Sequence, residues 1–166
     1  MLARTILLLS FLAAVGPGAA HAQPRSHTGE SLPLPRYVSL RSDEVNVRTG
    51  PGVRYPVEWV FTRRHMPVEV IQEFEHWRKI RDVEGTEGWV HQSMLSGRRY
   101  ALVTGEVRTL RRRPEADAPV VARVEPGVVG EIVECEGQWC RIDAGGIRGW
   151  LPRNEFWGVY PNETLR

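Results

Sequence analysis

Laying the second half of the chain over the first brings Val47-Arg48 onto Leu110-Arg111, Pro51 onto Pro114, and Pro56-Val57 onto Pro119-Val120. After one deletion Glu69-Val70-Ile71 falls on Glu131-Ile132-Val133, Trp77 on Trp139, and Lys79-Ile80 on Arg141-Ile142. A second single-residue shift sets Gly88-Trp89-Val90 on Gly149-Trp150-Leu151. Tryptophans and prolines rarely coincide this way by chance, so the chain carries an internal duplication. A unit of about 60 residues lies near the lower limit for independent folding, so two copies packed together share the burden of burying apolar surface.

Within each copy the apolar runs are short, β-branched or aromatic, and punctuated by turns. In the first they are Val45 to Arg48, Val57 to Phe61, Val68 to Ile71, Trp77 to Val83 and Gly88 to Val90. These read as strands. Gly50-Pro51-Gly52 stops the first strand, Arg63 to Pro67 separates the second from the third, and Glu84 to Gly88 and Ala144-Gly145-Gly146 read as hairpin turns. About five short strands in so small a unit cannot hide their edges in a flat sheet, so each copy should curl into a small barrel. The 16 glycines and 12 prolines, spread without period, agree with many short elements joined by turns.

The first 22 residues read differently. Arg4 precedes the apolar run Ile6 to Val15, which is followed by Gly16-Pro17-Gly18 and the small-residue pattern Ala20-His21-Ala22. This is the layout of a secretory signal peptide cleaved after Ala22. Its core of about ten apolar residues falls well short of the roughly 20 that span a bilayer. Gln23, not a cysteine, stands directly after the cleavage point, which argues against an acylated anchor. The expected division is therefore signal peptide 1–22, disordered leader 23–36, first domain 37–97, linker 98–104, and second domain with its tail 105–166. The linker, Arg98 to Val103 and onward, is too apolar to hang free and should pack between the halves. The expected destination is periplasmic or secreted, with no stable membrane insertion after cleavage.

Cys135 and Cys140 are separated by four residues. That is not the spacing of a redox or zinc pair, and no second pair completes a tetrahedral site. In an exported chain a disulfide clamping a short hairpin is the favoured reading. Face parity raises a difficulty: Val133 shares a face with Cys135, and Cys140 with Ile142, which turns Ile132 outward unless a bulge intervenes.

The chemistry-bearing residues form no catalytic pattern. His65, His76 and His91 stand singly at turns and strand ends, and no acid pair, calcium loop or phosphate cradle is present. Gly50-Pro51-Gly52 is followed by neither Lys-Ser/Thr nor a helix. No nucleophile, base and oxyanion stabiliser come together locally, so no enzyme activity, metal or cofactor is expected. Twenty-two Lys and Arg against 20 Asp and Glu give a formal charge of +2, which offers no global field for nucleic acid. Arg108, Arg111-Arg112-Arg113 and Arg63-Arg64 read as solvated clusters at turns, and nucleic-acid binding is not expected.

The phrase Val45-Asn46-Val47-Arg48-Thr49-Gly50-Pro51-Gly52, followed by Tyr55-Pro56-Val57, resembles the opening motif of the bacterial SH3-like domain family. Trp77-Arg78-Lys79-Ile80 and Gly88-Trp89-Val90 look like its two later landmarks. The second copy departs from the motif, with Thr109 and Arg113 where Asn46 and Gly50 stand. The resemblance implies an all-β fold of two tandem SH3-like small barrels. It also implies a binding role in the envelope, toward peptidoglycan peptide or another cell-envelope ligand.

Alternation of strand faces adds a candidate surface. If Ile80 and Ile142 point into their barrels, Trp77 and Trp139, three residues earlier, point outward. Arg48, Tyr55 and Trp59 lie in or beside the loop that, by the resemblance, borders a peptide groove. Arg48, Tyr55, Trp59, Trp77 and Trp139 are thus the expected ligand-binding residues, an aromatic wall with a guanidinium for a carboxylate. The expectation is a non-enzymatic exported binding module for a wall peptide, glycan or envelope protein. The alternative is a structural or assembly subunit of a periplasmic complex. An open aromatic groove favours the first; tryptophan patches filled by the other copy favour the second.

Overall fold

The duplication reappears as two sheets with one topology. The computed structural model describes residues 32–165, so the expected signal peptide and most of the expected leader lie outside the described residues. The first unit runs β1 (Arg36–Leu40), β2 (Val45–Arg48), β3 (Val57–Phe61), β4 (Pro67–Phe74), β5 (Trp77–Arg81), β6 (Glu87–His91) and β7 (Leu95–Ser96). The second runs β8 (Tyr100–Val103), β9 (Arg108–Arg111), β10 (Val120–Val124), β11 (Val129–Glu136), β12 (Trp139–Ala144), β13 (Ile147–Pro152) and β14 (Phe156–Trp157). Each forms a seven-stranded antiparallel sheet, in the orders β3-β2-β6-β5-β4-β1-β7 and β10-β9-β13-β12-β11-β8-β14. No helix among the described residues is long and apolar enough to cross a membrane.

Seven strands per unit exceed the five expected. The additional ones are the first and last of each copy, β1 with β7 and β8 with β14, which pair with one another across the length of the unit. Such long-range partners leave no local signature. The expected linker 98–104 is corrected in the same way: Tyr100–Val103 is a fully buried strand, paired to β11 and β14, and belongs to the second barrel. Its apolar character has that cause. Likewise Arg36, placed in the leader, opens β1.

Bulges curl both sheets at matching places. The β4–β5 register slips between Val70 and Gln72, and the β11–β12 register slips between Ile132 and Glu134. One unpaired residue, Ile71 or Val133, reverses the side-chain parity beyond it and bends the strand. Ile132 and Ile142 therefore pair on the core side while Cys135 still faces Cys140, which removes the parity difficulty. Val38, Leu40, Val45, Val47, Val68, Val70, Ile80 and Val90 form the first core; Leu110, Ile132, Cys140, Ile142, Leu151 and Phe156 lead the second.

Cys135 and Cys140 form a disulfide across directly opposed strand positions. The same rung of the first barrel carries Glu73 opposite Arg78, with Arg78 Nε 3.0 Å from Glu73 Oε1. One hairpin is tied covalently and its twin by an ion pair. Because the closed loop is short, replacing both cysteines by Ala should destabilise the chain by about 2 kcal/mol in denaturant unfolding, with faster amide exchange confined to β11 and β12.

The barrels meet through aromatic rings and a buried carboxylate. Tyr37 of β1 packs edge-on to Trp157 at 5.0 Å, lies 4.7 Å from the Tyr160 ring, and holds the Arg99 guanidinium 5.5 Å from its centroid. The Tyr160 hydroxyl donates to Glu69 Oε1 at 2.7 Å, and Arg81 donates to Oε2 at 3.2 Å, which satisfies a carboxylate only 6% exposed. His65 stacks on Tyr100 at 4.4 Å, and Arg63 reaches the Gly127 carbonyl. Burial, and then the Glu69 charge, push the Tyr37 hydroxyl well above the usual phenol range; burial and the hydrogen bond to Glu69 do the same for Tyr160.

Arg99 and the Tyr160 backbone N–H also hold Glu163. Burial raises the tendency of Glu163 to take up a proton, but the Arg99 hydrogen bond and charge outweigh it and hold the carboxyl below its ordinary value. A depressed carboxylate stabilises the fold above its unfolded pKa and loses that contribution as pH falls through the folded value. Glu163→Gln should therefore flatten the acid limb of the stability profile below about pH 4.3, measured by urea unfolding at stepped pH.

Candidate functional site

A glycine-proline loop between β2 and β3 shapes one end of the first barrel. Arg48 Nη1 donates to the carbonyls of Tyr55 (2.7 Å) and Val53 (3.2 Å), and Thr49 N donates to the Pro56 carbonyl (3.1 Å). The second barrel repeats this fastening. Arg111 Nη1 donates to the Ala118 carbonyl at 2.8 Å, and Arg112 N to the Pro119 carbonyl at 2.9 Å. Both loops fold alike although Arg113 replaces Gly50. The reason is steric: a Cβ at Gly50 would sit 2.5 Å from the Tyr55 ring, whereas the second barrel has Ala118 in place of Tyr55. Small and large residues have exchanged sides.

This geometry assigns the expected groove residues different tasks. Arg48 holds the loop, with one guanidinium nitrogen engaged by two carbonyls, although its side chain still edges the cleft. Tyr55 packs on Gly50 and Gly52, and the Arg54 guanidinium lies 5.1 Å from its ring centroid. Trp59 packs against the hydrophobic core, edge-on to Phe61, over the surface that Gly88 leaves free. It supports the barrel wall. Trp77, the third aromatic expected in the first barrel, lines an open hollow.

That hollow has two parts, both lined by Trp77. One part, of about 560 Å³, is lined by Pro51, Gly52, Val53, Arg54, Phe74, Glu75, His76, Trp77 and His91. The other, of about 210 Å³, is lined by Glu44, Asn46, Arg48, Val53, Trp77, His91 and Met94. Val53, Trp77 and His91 border both. Ile80 is fully buried and Trp77 half-buried, as the alternation of faces requires. Val53 is 79% exposed and Phe74 50%, an apolar rim that the fold itself does not cover.

Sequence reasoning missed the histidines. Trp77 and His91 are register partners on β5 and β6, with ring centroids 5.5 Å apart, and His76 approaches His91 at 6.1 Å. Their separation in the chain concealed this; the one usable signal was the place of each at a turn or strand end. Gln92 Nε2 lies 3.2 Å from His76 Nδ1, and Gln92 Oε1 accepts from Arg78 at 2.8 Å. Ser93 N donates to His91 Nδ1 at 3.3 Å, with Ser93 Oγ 2.7 Å from the same nitrogen. This Ser-His contact caps the short turn Gln92–Met94, with His91 lining the cleft and Ser93 standing behind it.

Trp139 occupies the matching position in the second barrel, and its surroundings differ. The hollow there is lined by Glu106, Val107, Arg108, Thr109, Arg111, Ala116, Trp139, Pro152 and Glu155. Arg108 Nη1 sits 3.2 Å from Glu106 and 3.8 Å from Glu155. The strand registers set Glu136 at the place of Phe74 and Pro152 at the place of His91. Trp77 and Trp139 therefore lie in separate clefts, and the five expected residues do not form one surface.

The Gly50–Tyr55 exchange is directly testable. Gly50→Ala should destabilise the first barrel by about 1–3 kcal/mol through overpacking, and the same substitution in a Tyr55→Ala background should cost far less, as read from a double-mutant cycle in denaturant.

Comparison with known proteins follows the duplication. A sequence model of the family described as "Bacterial SH3 domain" matches residues 41–97 and 105–158. A protein named putative N-acetylmuramoyl-L-alanine amidase YrvJ, from Bacillus subtilis (strain 168), is 24% identical over 123 residues, which span 68% of this chain and 24% of that protein. The chain thus spans about a quarter of the length of this curated relative. Among solved structures, NlpC1 and NlpC2 from Trichomonas vaginalis are 12% and 10% identical, with TM-scores of 0.34 and 0.36. Those matches cover 76% and 79% of this chain and 47% and 51% of the others. An NlpC/P60 family protein from Bacillus cereus ATCC 10987 is 13% identical, with a TM-score of 0.34, over 78% of this chain and 58% of that one.

Proposed function

The chain belongs to the bacterial SH3 domain family, and from that premise we propose that it is an exported, non-enzymatic binding module that recognises peptidoglycan peptide or another cell-envelope ligand. The observation that carries this reading is the open cleft at Trp77, with uncovered Phe74 and Val53 at its rim. A partly exposed indole beside a hydrogen-bonded loop suits an extended peptide, which stacks on the ring and uses fixed polar groups for orientation. The name of the similar Bacillus subtilis protein refers to an N-acetylmuramoyl-L-alanine linkage, which agrees with a ligand in the wall. The match covers 24% of that protein, so amidase activity is not carried over with it.

Export is part of the proposal. It rests on the signal-peptide pattern of residues 1–22 and agrees with the Cys135–Cys140 disulfide, a bond that persists in oxidising compartments. The periplasm or the exterior is the proposed location. Ligand capture is preferred to a purely structural role because the two kinds of tryptophan site have separated. Trp157 packs against Tyr37 at the junction of the barrels, whereas the Trp77 cleft is left open.

Purified wall sacculi test this. The mature chain should sediment with them, and Trp77→Ala should reduce retention by about tenfold while leaving the circular dichroism spectrum unchanged. Undiminished retention of a folded Trp77→Ala, Tyr55→Ala variant would remove the cleft from the function.

A further inference from the structure

The hydrogen-bond network behind the Trp77 cleft sets which nitrogen of each imidazole carries a proton. Arg78 Nη2 donates to Gln92 Oε1, and a guanidinium cannot accept, so the amide oxygen of Gln92 faces Arg78. Its Nε2 group then faces His76 Nδ1 and donates to it. On the other ring the Ser93 backbone N–H, also a pure donor, points at His91 Nδ1. Both Nδ1 atoms are acceptors, so in each neutral ring the proton resides on Nε2. Gln92 and Ser93 lie outside the lining of the larger hollow, whereas both imidazoles belong to it.

The hollow therefore holds two imidazole N–H donors and the Arg54 guanidinium against one acid, Glu75, with the Trp77 indole as its wall. A donor-rich aromatic cleft selects an acceptor-rich ligand. The same tautomers disfavour a metal ion, which needs the Nε2 lone pair and a proton on Nδ1 where Ser93 N–H already points.

The second barrel lacks this constellation. The registers put Pro152 at the place of His91, Gln138 precedes Trp139 where His76 precedes Trp77, and the loop there offers Asp117 where the first offers Arg54. Asp117 and Glu136 replace a cation and an aromatic ring with acids, and Arg108 is already engaged by Glu106 and Glu155.

We infer that the first barrel is the ligand-binding copy, that it takes a peptide through a free carboxylate held by His76, His91 and Arg54 beside Trp77, and that the Trp139 cleft takes no such ligand. This deepens the proposed envelope-binding function and rests on that reading for its biological setting. The carboxylate chemistry itself comes from the donor network.

The test uses the mature chain and two soluble probes, N-acetyl-alanyl-alanine and its C-terminal amide, followed by NMR. The carboxylate should shift the His76 and His91 ring signals and the Trp77 indole N–H, leave Trp139 unmoved, and bind about tenfold more tightly than the amide. His76→Leu and Arg54→Gln, both at exposed positions, should each weaken the carboxylate and abolish its advantage. Equal binding of the amide, or shifts centred on Trp139, overturns the inference. Imidazole nitrogen shifts that place the protons on Nδ1 overturn it independently of any ligand. Loss of sacculus retention alone bears on the wall reading: if wild-type protein ignores sacculi yet binds the carboxylate probe, the wall assignment falls and the carboxylate site stands.

Discussion

One extra residue in the long hairpin of each barrel governs how the rest is arranged. Ile71 and Val133 stand unpaired between their neighbours' rungs, and beyond them the inward and outward faces exchange. This lets Val70 and Ile80 fill the core while the hairpin tip swings Trp77 and Phe74 outward. Without the slip, a strand as long as β4 would carry its core face straight into solvent. The bend that closes the barrel thus also presents the aromatic tip beside the β2–β3 loop.

The two copies share this frame and differ at its ends. Conserved frame features within the chain include the arginine that fastens the loop, Arg48 or Arg111, and the tight glycine beneath it, Gly88 or Gly149. A Cβ at Gly149 would lie 2.6 Å from Leu110 Cβ, so neither copy can place a larger residue there without moving its core. The tips are free of that constraint. A rung that is Glu73–Arg78 in one barrel becomes a disulfide in the other, and Phe74 gives way to Glu136. Internal duplication supplied a cleft at the matching tryptophan of each barrel, with different side chains in each.

The aromatic residues divide into three roles by position. Trp59 and Phe61 back the first core, Trp157 and Tyr160 join the barrels over Tyr37, and Trp77 remains at a free rim. The junction is demanding because it buries the Glu69 carboxylate, which is tolerable only while Tyr160 and Arg81 both donate to it. Such a contact ties β1 and β4 of the first barrel to the segment that follows β14.

The duplication, the all-β class, five strands of each barrel and the hairpin disulfide could be read from residue order, because period-two patterns, turn residues and cysteine spacing are local. The outward direction of Trp77 followed from strand parity in the same way. The need for a bulge was legible at Ile132, although its position was not, since the slip depends on which rungs the facing strand offers. Tertiary structure alone made β8 out of an apparent linker, because its partners β11 and β14 lie far along the chain. It moved Trp59 from the expected groove to the core and engaged Arg48 with loop carbonyls. It also brought His76 and His91 to the Trp77 wall, since a site assembled across neighbouring strands depends on register, and register is decided by the packing of the whole sheet.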